Sequence, residues 1–546
     1  MSNRVYNIMF HSHTISGIII SALLYVIFFT GSISFLRDEI NAWERDEAIE
    51  EDYFQNLDFD AAVDHLESEY QLYGRDISFS QRYHERRLAA SMTSSKDTSI
   101  AKADNRRAFF YMDLESGENR KYGANYSLGE FFYRLHFFAQ LNYFGRSGYM
   151  LAGLVAFFFL FAIVTGVIVH WKKISSSFFV FRPKAKWKTI WTDAHVALGI
   201  LGLPYQFIFA VTGTYLIIGY TFMLPPVKTI LFGDDKEKMA EVLDPDEDEE
   251  LALTYNVLKD LPSIQPYVVA TAEKWPEAEI QQLQILNYGD ESMRVKVSVR
   301  PKYQSSLMGS GFVLYDGISG EVINENDPFL STSYIEGATN LIQRLHFGDY
   351  GGYGMKLIYF CLGIISCFVI ISGVLIWLVA RDKKNIHPRK RKFNTWLGYI
   401  YLSSCLSLYP ATAIAFIAVK VWGYDLGEGR KAFINEVFFW PWLVLSLFFI
   451  IKRNNYFTQY MTLLLGAVLG AIVPLANGWM TGNWPWVSFV KGYDQIFVVD
   501  VFWLLLSITS FLVLLKMKKK ENPIIQSKVK VSEKVKNSEW SIKTSV

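Results

Sequence analysis

Eight apolar stretches, each long enough to cross a bilayer as a helix, constrain this chain more than any other feature of its sequence. A spanning helix needs about 20 apolar residues. Suitable stretches lie near 14–36, 148–171, 195–220, 355–380, 396–421, 434–452, 457–477 and 495–516. The first is too long, and too poorly followed by a cleavage site, for a removable signal peptide, so we expect it to be retained. A multi-pass α-helical membrane protein in a lipid bilayer is the predicted fold class.

Two long polar segments, about 37–135 and 221–345, separate these stretches, and basic residues cluster on alternate connections. The clusters lie within 172–188, 381–392, 452–453 and 516–520. Positive charge marks the cytoplasmic side of a membrane protein. Both termini are therefore predicted to be cytoplasmic, with the polar segments outside. The net charge of +1 gives no indication of nucleic acid, and no nucleic-acid partner is predicted.

The chain carries the same histidine pattern twice. His13 is followed by Gly17 and Thr30-Gly31, and His195 by Gly199 and Thr212-Gly213 at the same spacings. A second motif, Arg-Leu-His, precedes two further apolar stretches, as 134–136 and as 344–346. The chain is therefore interpreted as a duplicated membrane unit with histidines at equivalent positions.

Each polar segment is predicted to form a small α+β module. In the first, apolar spacing indicates a helix over 59–73 and strands at 77–83, 88–94 and 107–113. In the second, we expect a helix over 251–260 and strands at 281–287, 293–300 and 311–315. Both modules end in an aspartate followed four residues later by a glycine, Asp113 with Gly117 and Asp316 with Gly320, which suits a turn between strands. The cysteines, Cys361, Cys367 and Cys405, lie in predicted spans, so no disulfide is expected in the external modules.

These modules resemble the PepSY domain, and residues 8–381 resemble the PepSY-associated transmembrane family. That family includes iron-regulated membrane proteins and the ferric-siderophore reductases of Gram-negative bacteria. The resemblance implies a bacterial inner membrane protein with periplasmic PepSY domains. The expected organisation is span 1 (1–36), a first PepSY-like domain with an interfacial histidine segment (37–147), span 2 and a cytoplasmic loop (148–194), span 3 (195–220), a second such domain (221–354), span 4 and a basic loop (355–394), four further spans (395–516) and a disordered basic tail (517–546).

Paired histidines beside a bilayer favour haem ligation. Ionisable groups at membrane depth are costly and usually functional, and neutral imidazole is a common axial ligand of haem iron. If the two halves pack about a pseudo-twofold axis, His13 faces His195 at the cytoplasmic edge and His136 faces His346 at the external edge. Two haems b are therefore predicted, one between each pair.

Neighbouring residues have suggested roles beside these ligands. Gly17 and Gly199 lie one helical turn after their histidines, where a missing side chain lets a flat macrocycle or a neighbouring helix approach. Arg134 and Arg344 could bind haem propionates or could instead be interfacial arginines.

His170, whose equivalent in the second half is Trp377, has two possible roles: an iron ligand in place of His13 or His195, or a hydrogen-bond donor to a propionate. His11 faces away from His13 and is a less suitable ligand. His65, His84 and His387 are expected on polar surface.

The resemblance implies an enzyme that reduces ferric siderophores to release Fe(II) outside the membrane, above the His136–His346 pair. No flavin or nicotinamide motif is evident, so the electron donor is expected to be a cytoplasmic reductase or a membrane quinol. Two alternatives stay open: a non-catalytic PepSY protein that binds peptides or regulates a protease, and a component of a siderophore or iron permease. Neither a zinc-peptidase helix nor a serine-hydrolase elbow is present.

Overall fold

A computed structural model of the chain describes residues 2–49, 53–81, 85–101, 105–114, 117–233, 251–330, 334–383 and 385–517. Two earlier expectations, the position of His84 and the disordered tail from 518 onward, lie outside these ranges. The chain builds a helical bundle with a single β-sheet beside one end of it.

The first half of the bundle begins with an unusually long helix. The helices of this half and of the repeat that follows are α1 (Asn3–Ser34), α2 (Arg37–Arg45), α3 (Phe59–Glu69), α4 (Leu128–His136), α5 (Ser147–His170), α6 (Ile174–Phe178), α7 (Trp187–Leu201), α8 (Leu203–Thr214), α9 (Leu224–Phe232), α10 (Gln265–Lys274), α11 (Tyr334–Phe347) and α12 (Gly352–Arg381).

The remaining helices form a C-terminal group, which we call the C-terminal bundle. They are α13 (Pro388–Leu406), α14 (Leu408–Trp422), α15 (Arg430–Lys452), α16 (Asn455–Thr481), α17 (Pro485–Lys491) and α18 (Asp494–Lys516).

Seven helical segments among the described residues are long and apolar enough to cross a membrane. These are Asn3–Ser34, Ser147–His170, Gly352–Arg381, Pro388–Trp422, Gly427–Lys452, Asn455–Thr481 and Asp494–Lys516. An eighth crossing results if Lys188–Leu201 and Leu203–Gly219 count as one span bent by 69°. The bend falls at Gly202, just before Pro204, whose ring and missing N–H cannot continue a regular helix. The multi-pass helical fold is thus confirmed, and span three is broken rather than straight.

The two modules predicted from the polar segments share one antiparallel sheet instead of forming two. Its strands are β1 (Ile77–Ser80), β2 (Leu88–Met92), β3 (Ala108–Asp113), β4 (Glu118–Arg120), β5 (Ala278–Leu286), β6 (Arg294–Pro301), β7 (Gly311–Asp316) and β8 (Val322–Asn326). Their order is β4-β3-β2-β1-β5-β6-β7-β8. The first four strands come from one half and the last four from the other, so the halves meet where β1 pairs with β5.

The seam between β1 and β5 is the centre of the sheet and of its core. Ile77 pairs with Ile285 and Phe79 with Leu283, and all four side chains are at most 1% exposed. Helices α3 and α10 contribute to the same hydrophobic core. Strand residues alternate between faces, and β5 and its neighbours direct polar side chains away from this core.

The helix expected over 251–260 is wrong. The second helix that packs on the sheet is α10, and the segment 251–260 before it forms no helix. Its polar backbone groups serve tertiary contacts: the Leu251 and Ala252 carbonyl oxygens accept from Asn287 Nδ2, and the Thr254 N–H donates to Asp290. These contacts outweigh the apolar spacing that suggested a helix.

Candidate functional site

The structure brings the four repeated histidines together in two pairs. The ring centres of His13, on α1, and His195, on α7, lie 6.3 Å apart. Those of His136, at the end of α4, and His346, on α11, lie 6.0 Å apart. We call the second the sheet-side pair, because it lies beneath the β-sheet, and the first the far-side pair. The His136 ring contacts the Ile27 carbonyl oxygen on α1. Because a helix rises about 1.5 Å per residue, His13 and Ile27 are about 21 Å apart along α1.

Each far-side ring donates its Nδ1–H to a neighbouring span. His13 Nδ1 donates to the Ala162 carbonyl oxygen on α5 (2.8 Å), and His195 Nδ1 to the Val369 carbonyl oxygen on α12 (2.9 Å). A carbonyl oxygen only accepts, so the proton is on Nδ1 and the lone pair is on Nε2. Such a contact fixes both the tautomer and the orientation of a ligating imidazole.

The sheet-side rings are held in the same tautomer. His136 Nδ1 donates to the Ile27 carbonyl oxygen (2.8 Å). His346 Nδ1 donates to Thr212 Oγ1 (2.8 Å), whose own hydroxyl donates to the Ile208 carbonyl oxygen. Burial lowers the pKa of His136, and it lowers the pKa of His346 to about 3. Both sheet-side rings are therefore neutral, and Nε2 of all four rings makes no hydrogen bond to the described protein groups.

A glycine lies beneath each ring, and this is the feature that the sequence reasoning missed. A Cβ would come within 2.6 Å of the His136 ring at Gly31, 3.0 Å of the His13 ring at Gly166 and 3.2 Å of the His195 ring at Gly373. At Gly213 the distance to the His346 ring is 3.9 Å. Each glycine follows a threonine or serine, and Thr30-Gly31, Thr165-Gly166, Thr212-Gly213 and Ser372-Gly373 are the four such seats. The sequence pattern placed Thr30-Gly31 and Thr212-Gly213 at a fixed spacing from His13 and His195, whereas in the structure Gly31 lies against His136 and Gly213 near His346.

Two facing imidazoles are suited to an iron already held in a macrocycle. If one nitrogen of each ring held the same iron, metal–nitrogen bonds of about 2 Å and about 1 Å from each nitrogen to its ring centre would allow the ring centres to lie roughly 6 Å apart. Both observed separations match that value. In the described part of the chain no group of three or more His, Cys, Asp or Glu could hold a metal ion. A bare ion would find too few ligands in a pair, whereas a haem iron needs only two.

Space for a flat group exists beside the far-side pair. A Cβ at Gly17 or at Gly199 would meet no atom within 4 Å. Both glycines lie one turn from a histidine on the same helix face. The open space fits the edge of a macrocycle, and no neighbouring helix packs closely against either glycine.

A cavity of 950 Å³ surrounds the sheet-side pair and extends to the sheet. His136, His346 and Gly31 line it from the membrane side, and Gln81 and Gln281 from the sheet. Five basic and three acidic side chains also line it: Arg37, Arg134, Arg300, Arg344, Lys356, Asp38, Glu279 and Asp349. The cavity therefore combines a histidine pair on its membrane side with a polar lining of both charges, in which Arg134 is paired with Glu130, Arg300 with Asp349 and Lys356 with Glu39.

The other predicted site residues lie near these pairs. Arg134 is ion-paired with Glu130 (2.6 Å), and the buried Arg344 donates to the Pro301 carbonyl oxygen (2.5 Å). Both line the cavity, although these contacts already engage part of each guanidinium. His170 ends α5 close enough to interact electrostatically with His13 and His195.

The surface histidines play no part in either pair. His65, on α3, contacts Asn119 on β4, and His387 caps α13.

No curated protein matches this chain in a sequence comparison. A family model described as the PepSY-associated TM region matches residues 10–380. This range contains both histidine pairs, all four glycine seats and the whole sheet, and it ends before the C-terminal bundle. The chain belongs to the PepSY-associated transmembrane family.

Proposed function

We propose that this chain is a membrane oxidoreductase that holds two haems b and delivers electrons to a ferric siderophore on the side of the sheet. The observation that carries the proposal is the geometry of the two histidine pairs. Four imidazoles, each held through Nδ1, form two pairs whose ring centres lie 6.3 and 6.0 Å apart, which is compatible with one haem iron held between the rings of each pair. When bound, a haem held by His136 and His346 or by His13 and His195 would supply one-electron transfer.

The cavity over the sheet-side pair supports a ferric chelate as the substrate. Four arginines line it, and guanidinium groups suit the anionic oxygens of hydroxamate and catecholate ligands. One electron converts the bound Fe(III) to Fe(II). These hard oxygen ligands hold Fe(II) more weakly than Fe(III), so the chelator releases the iron and itself stays chemically unchanged.

The electron enters from the far-side pair in this proposal. The basic connections that flank this side, such as 172–188, favour a cytoplasmic location by the positive-inside rule. The sheet is then periplasmic. The donor is a cytoplasmic reductase or a membrane quinol, which loses the one electron that each Fe(III) gains.

An absorption spectrum of the purified protein, with the haem-to-protein ratio, tests the cofactor. The expected result is a b-type spectrum with about two haems per chain. The variant His346→Ala should lose one of the two, whereas His387→Ala, at a surface position outside both pairs, should lose neither. Protein from haem-replete cells that binds no haem would overturn the proposal.

Orientation of the reaction is tested in reconstituted vesicles of known sidedness. With the haems reduced, a ferric hydroxamate added on the sheet side should reoxidise them, and ferrozine should trap Fe(II) on that side. Reoxidation only from the opposite side would reverse the assigned direction of electron flow.

A further inference from the structure

We infer that the C-terminal bundle positions one ligand of the sheet-side pair, His136, through an ion pair between Arg430 and Glu44 at the start of α4. The inference rests on the proposed function, because it assigns a role in haem ligation to helices that lie outside the family match. It concerns positioning, since neither Arg430 nor Glu44 contacts the histidine itself.

The C-terminal bundle forms hydrogen bonds with the last residues of α2 and with the residues just after it, 43–49. Trp43 Nε1 donates to Asp500 Oδ1 on α18 (2.8 Å), and Asn483 Nδ2 donates to Asp46 (2.8 Å). Gln495 donates to the Ile49 carbonyl oxygen (2.7 Å). Trp43 and Asp500 are both fully buried. Three separate contacts therefore fix this segment against the C-terminal bundle.

Arg430, the first residue of α15, connects that segment to α4. Its guanidinium donates to the Glu44 carboxylate, to the Gly423 carbonyl oxygen and to the Tyr126 carbonyl oxygen, the last at 2.9 Å. Tyr126 immediately precedes Ser127, the N-cap of α4. One side chain of the C-terminal bundle thus holds both the Glu44 carboxylate and the chain that enters α4.

Glu44 in turn satisfies the start of α4. Its Oε2 accepts from the Leu128 N–H (2.6 Å), while Ser127 Oγ donates to Asn41 Oδ1 and accepts from the Glu130 N–H. The first N–H groups of a helix lack partners within it, and a carboxylate there is also favoured by the helix dipole. The Glu44 side chain is completely buried, so removing Arg430 would leave its charge without its ion-pair partner.

Aromatic packing extends these contacts along α4. The Phe131 ring lies 4.9 Å from the Phe438 ring, and the Phe132 ring 5.6 Å from it, centre to centre. All three side chains are fully buried. Helix α4 is short, and His136 is its last residue, so a shift of its start moves the imidazole relative to Ile27 and Gly31.

The equivalent helix of the second half is held differently. Helix α11 is tied to its own half by Arg344, which donates to Pro301, and by the hydrogen bonds of Thr339 with Tyr215 and of His346 with Thr212. The far-side pair depends on α5 and α12 for its acceptors. Loss of the Arg430–Glu44 pair should therefore disturb one ligand of one pair.

The test compares Arg430→Gln, Arg430→Lys, Glu44→Gln and Glu44→Ala in the full-length protein. Low-spin EPR signals and reduction potentials report each haem separately. We expect Arg430→Gln and Glu44→Gln to shift the signal and potential of one haem only, the one that His346→Ala removes. Glu44→Ala, which also removes the acceptor for Leu128, should lower the content of that haem at least twofold. Arg430→Lys, which keeps the charge, should retain more of it than Arg430→Gln.

Arg453→Gln is the matched control. Arg453 follows the other end of α15, is exposed, and lies over the Trp396 ring, so its loss removes the same charge from the same helix far from α4. It should leave both signals unchanged. The unaffected far-side haem serves as the folding control within each variant. Wild-type signals in all four variants, or equal loss of both haems, would refute the inference.

Hydrogen exchange separates this inference from the proposed function. Amides of Leu128–His136 should exchange faster in Arg430→Gln than in the wild type, while those of α11 should not change. This readout needs no haem. If the wild type is haem-free but shows the expected exchange pattern, the proposed function is wrong and the positioning contact is supported. If exchange in α4 does not change in Arg430→Gln, the positioning contact is wrong.

Discussion

At the scale of single residues, the four histidine seats show how a span can orient an imidazole with little side chain of its own. In each seat a glycine, preceded by a threonine or serine, leaves room for the ring. At His13, His136 and His195 a backbone carbonyl of the same helix as the glycine accepts the hydrogen bond from Nδ1. At His346 the Thr212 hydroxyl replaces the carbonyl as acceptor. The result in each seat is a ring whose orientation is fixed through Nδ1.

A methyl group at Gly31 should therefore remove the sheet-side haem. The Cβ of Gly31→Ala would lie 2.6 Å from His136 Nδ1, so the ring must leave the Ile27 carbonyl. Loss of such an orienting contact typically costs about 10–100-fold in metal affinity. Haem titration of the apoprotein should show one of two sites weakened. Equal affinity at both sites would contradict the seat.

Gly17→Ala asks a different question, because the protein itself leaves that position open. A Cβ there meets no atom within 4 Å, so we expect normal folding and an unchanged sheet-side haem. If the edge of a macrocycle occupies this space, the affinity of the far-side site for haem should fall by roughly tenfold, as is usual when a group beside a metal ligand is perturbed. Full far-side occupancy in Gly17→Ala would show that the macrocycle lies elsewhere.

At the scale of elements, the β1–β5 seam at the centre of the sheet is built from both halves of the chain, and neither half can form it alone. Phe79 and Leu283 pair across it, and neither is exposed. By contrast, the edge strands β4 and β8 are short, and β8 is largely exposed along its length.

Leu283→Ala should destabilise the sheet by about 2–5 kcal/mol, the usual cost of emptying a filled core position. Ile323→Ala, on the exposed edge strand β8, should change stability by less than about 0.5 kcal/mol. Native-state hydrogen exchange of the β1 and β5 amides measures both. Equal protection in the two variants would show that the seam is not where the sheet derives its stability.

Sequence patterns predicted most elements but not how they join. Strands such as β6 and β7 follow from alternating apolar residues, and the long helices from unbroken apolar stretches. The partner of β1 could not be predicted, since pairing β1 with β5 joins residues more than two hundred positions apart and leaves no local signal. The break at Gly202 was similarly hidden in a continuous apolar stretch.

The histidine pairs followed from the repeat, because equivalent residues of two similar halves meet across a pseudo-twofold axis. Their seats did not, since each seat lies on a helix other than the one that carries its histidine. The role of the C-terminal bundle was also out of reach, because Arg430 acts through contacts with two distant segments.

At the scale of the whole molecule, the sheet and the basic connections should lie on opposite sides of the membrane. Ser319, in the turn between β7 and β8, and Asn385, between α12 and α13, are suitable probe positions. With the exposed Cys361 replaced by serine, Ser319→Cys should react with an impermeant maleimide in intact spheroplasts. Asn385→Cys should react only after permeabilisation, and the reverse pattern would invert the topology.

A sheet whose central seam joins the two halves has a consequence for the origin of the chain. A single unit would expose the edge of β1, or of β5, along an apolar and unprotected strand. Two identical units would close that edge by pairing with each other, and the same contact would bring their histidines face to face. Joining the two copies in one polypeptide keeps this arrangement and releases each copy from identity. The two halves differ at His170 and its equivalent, Trp377. They also differ in that the C-terminal bundle holds the start of α4, whereas α11 is held by contacts within its own half. A symmetric dimer could not have acquired such differences.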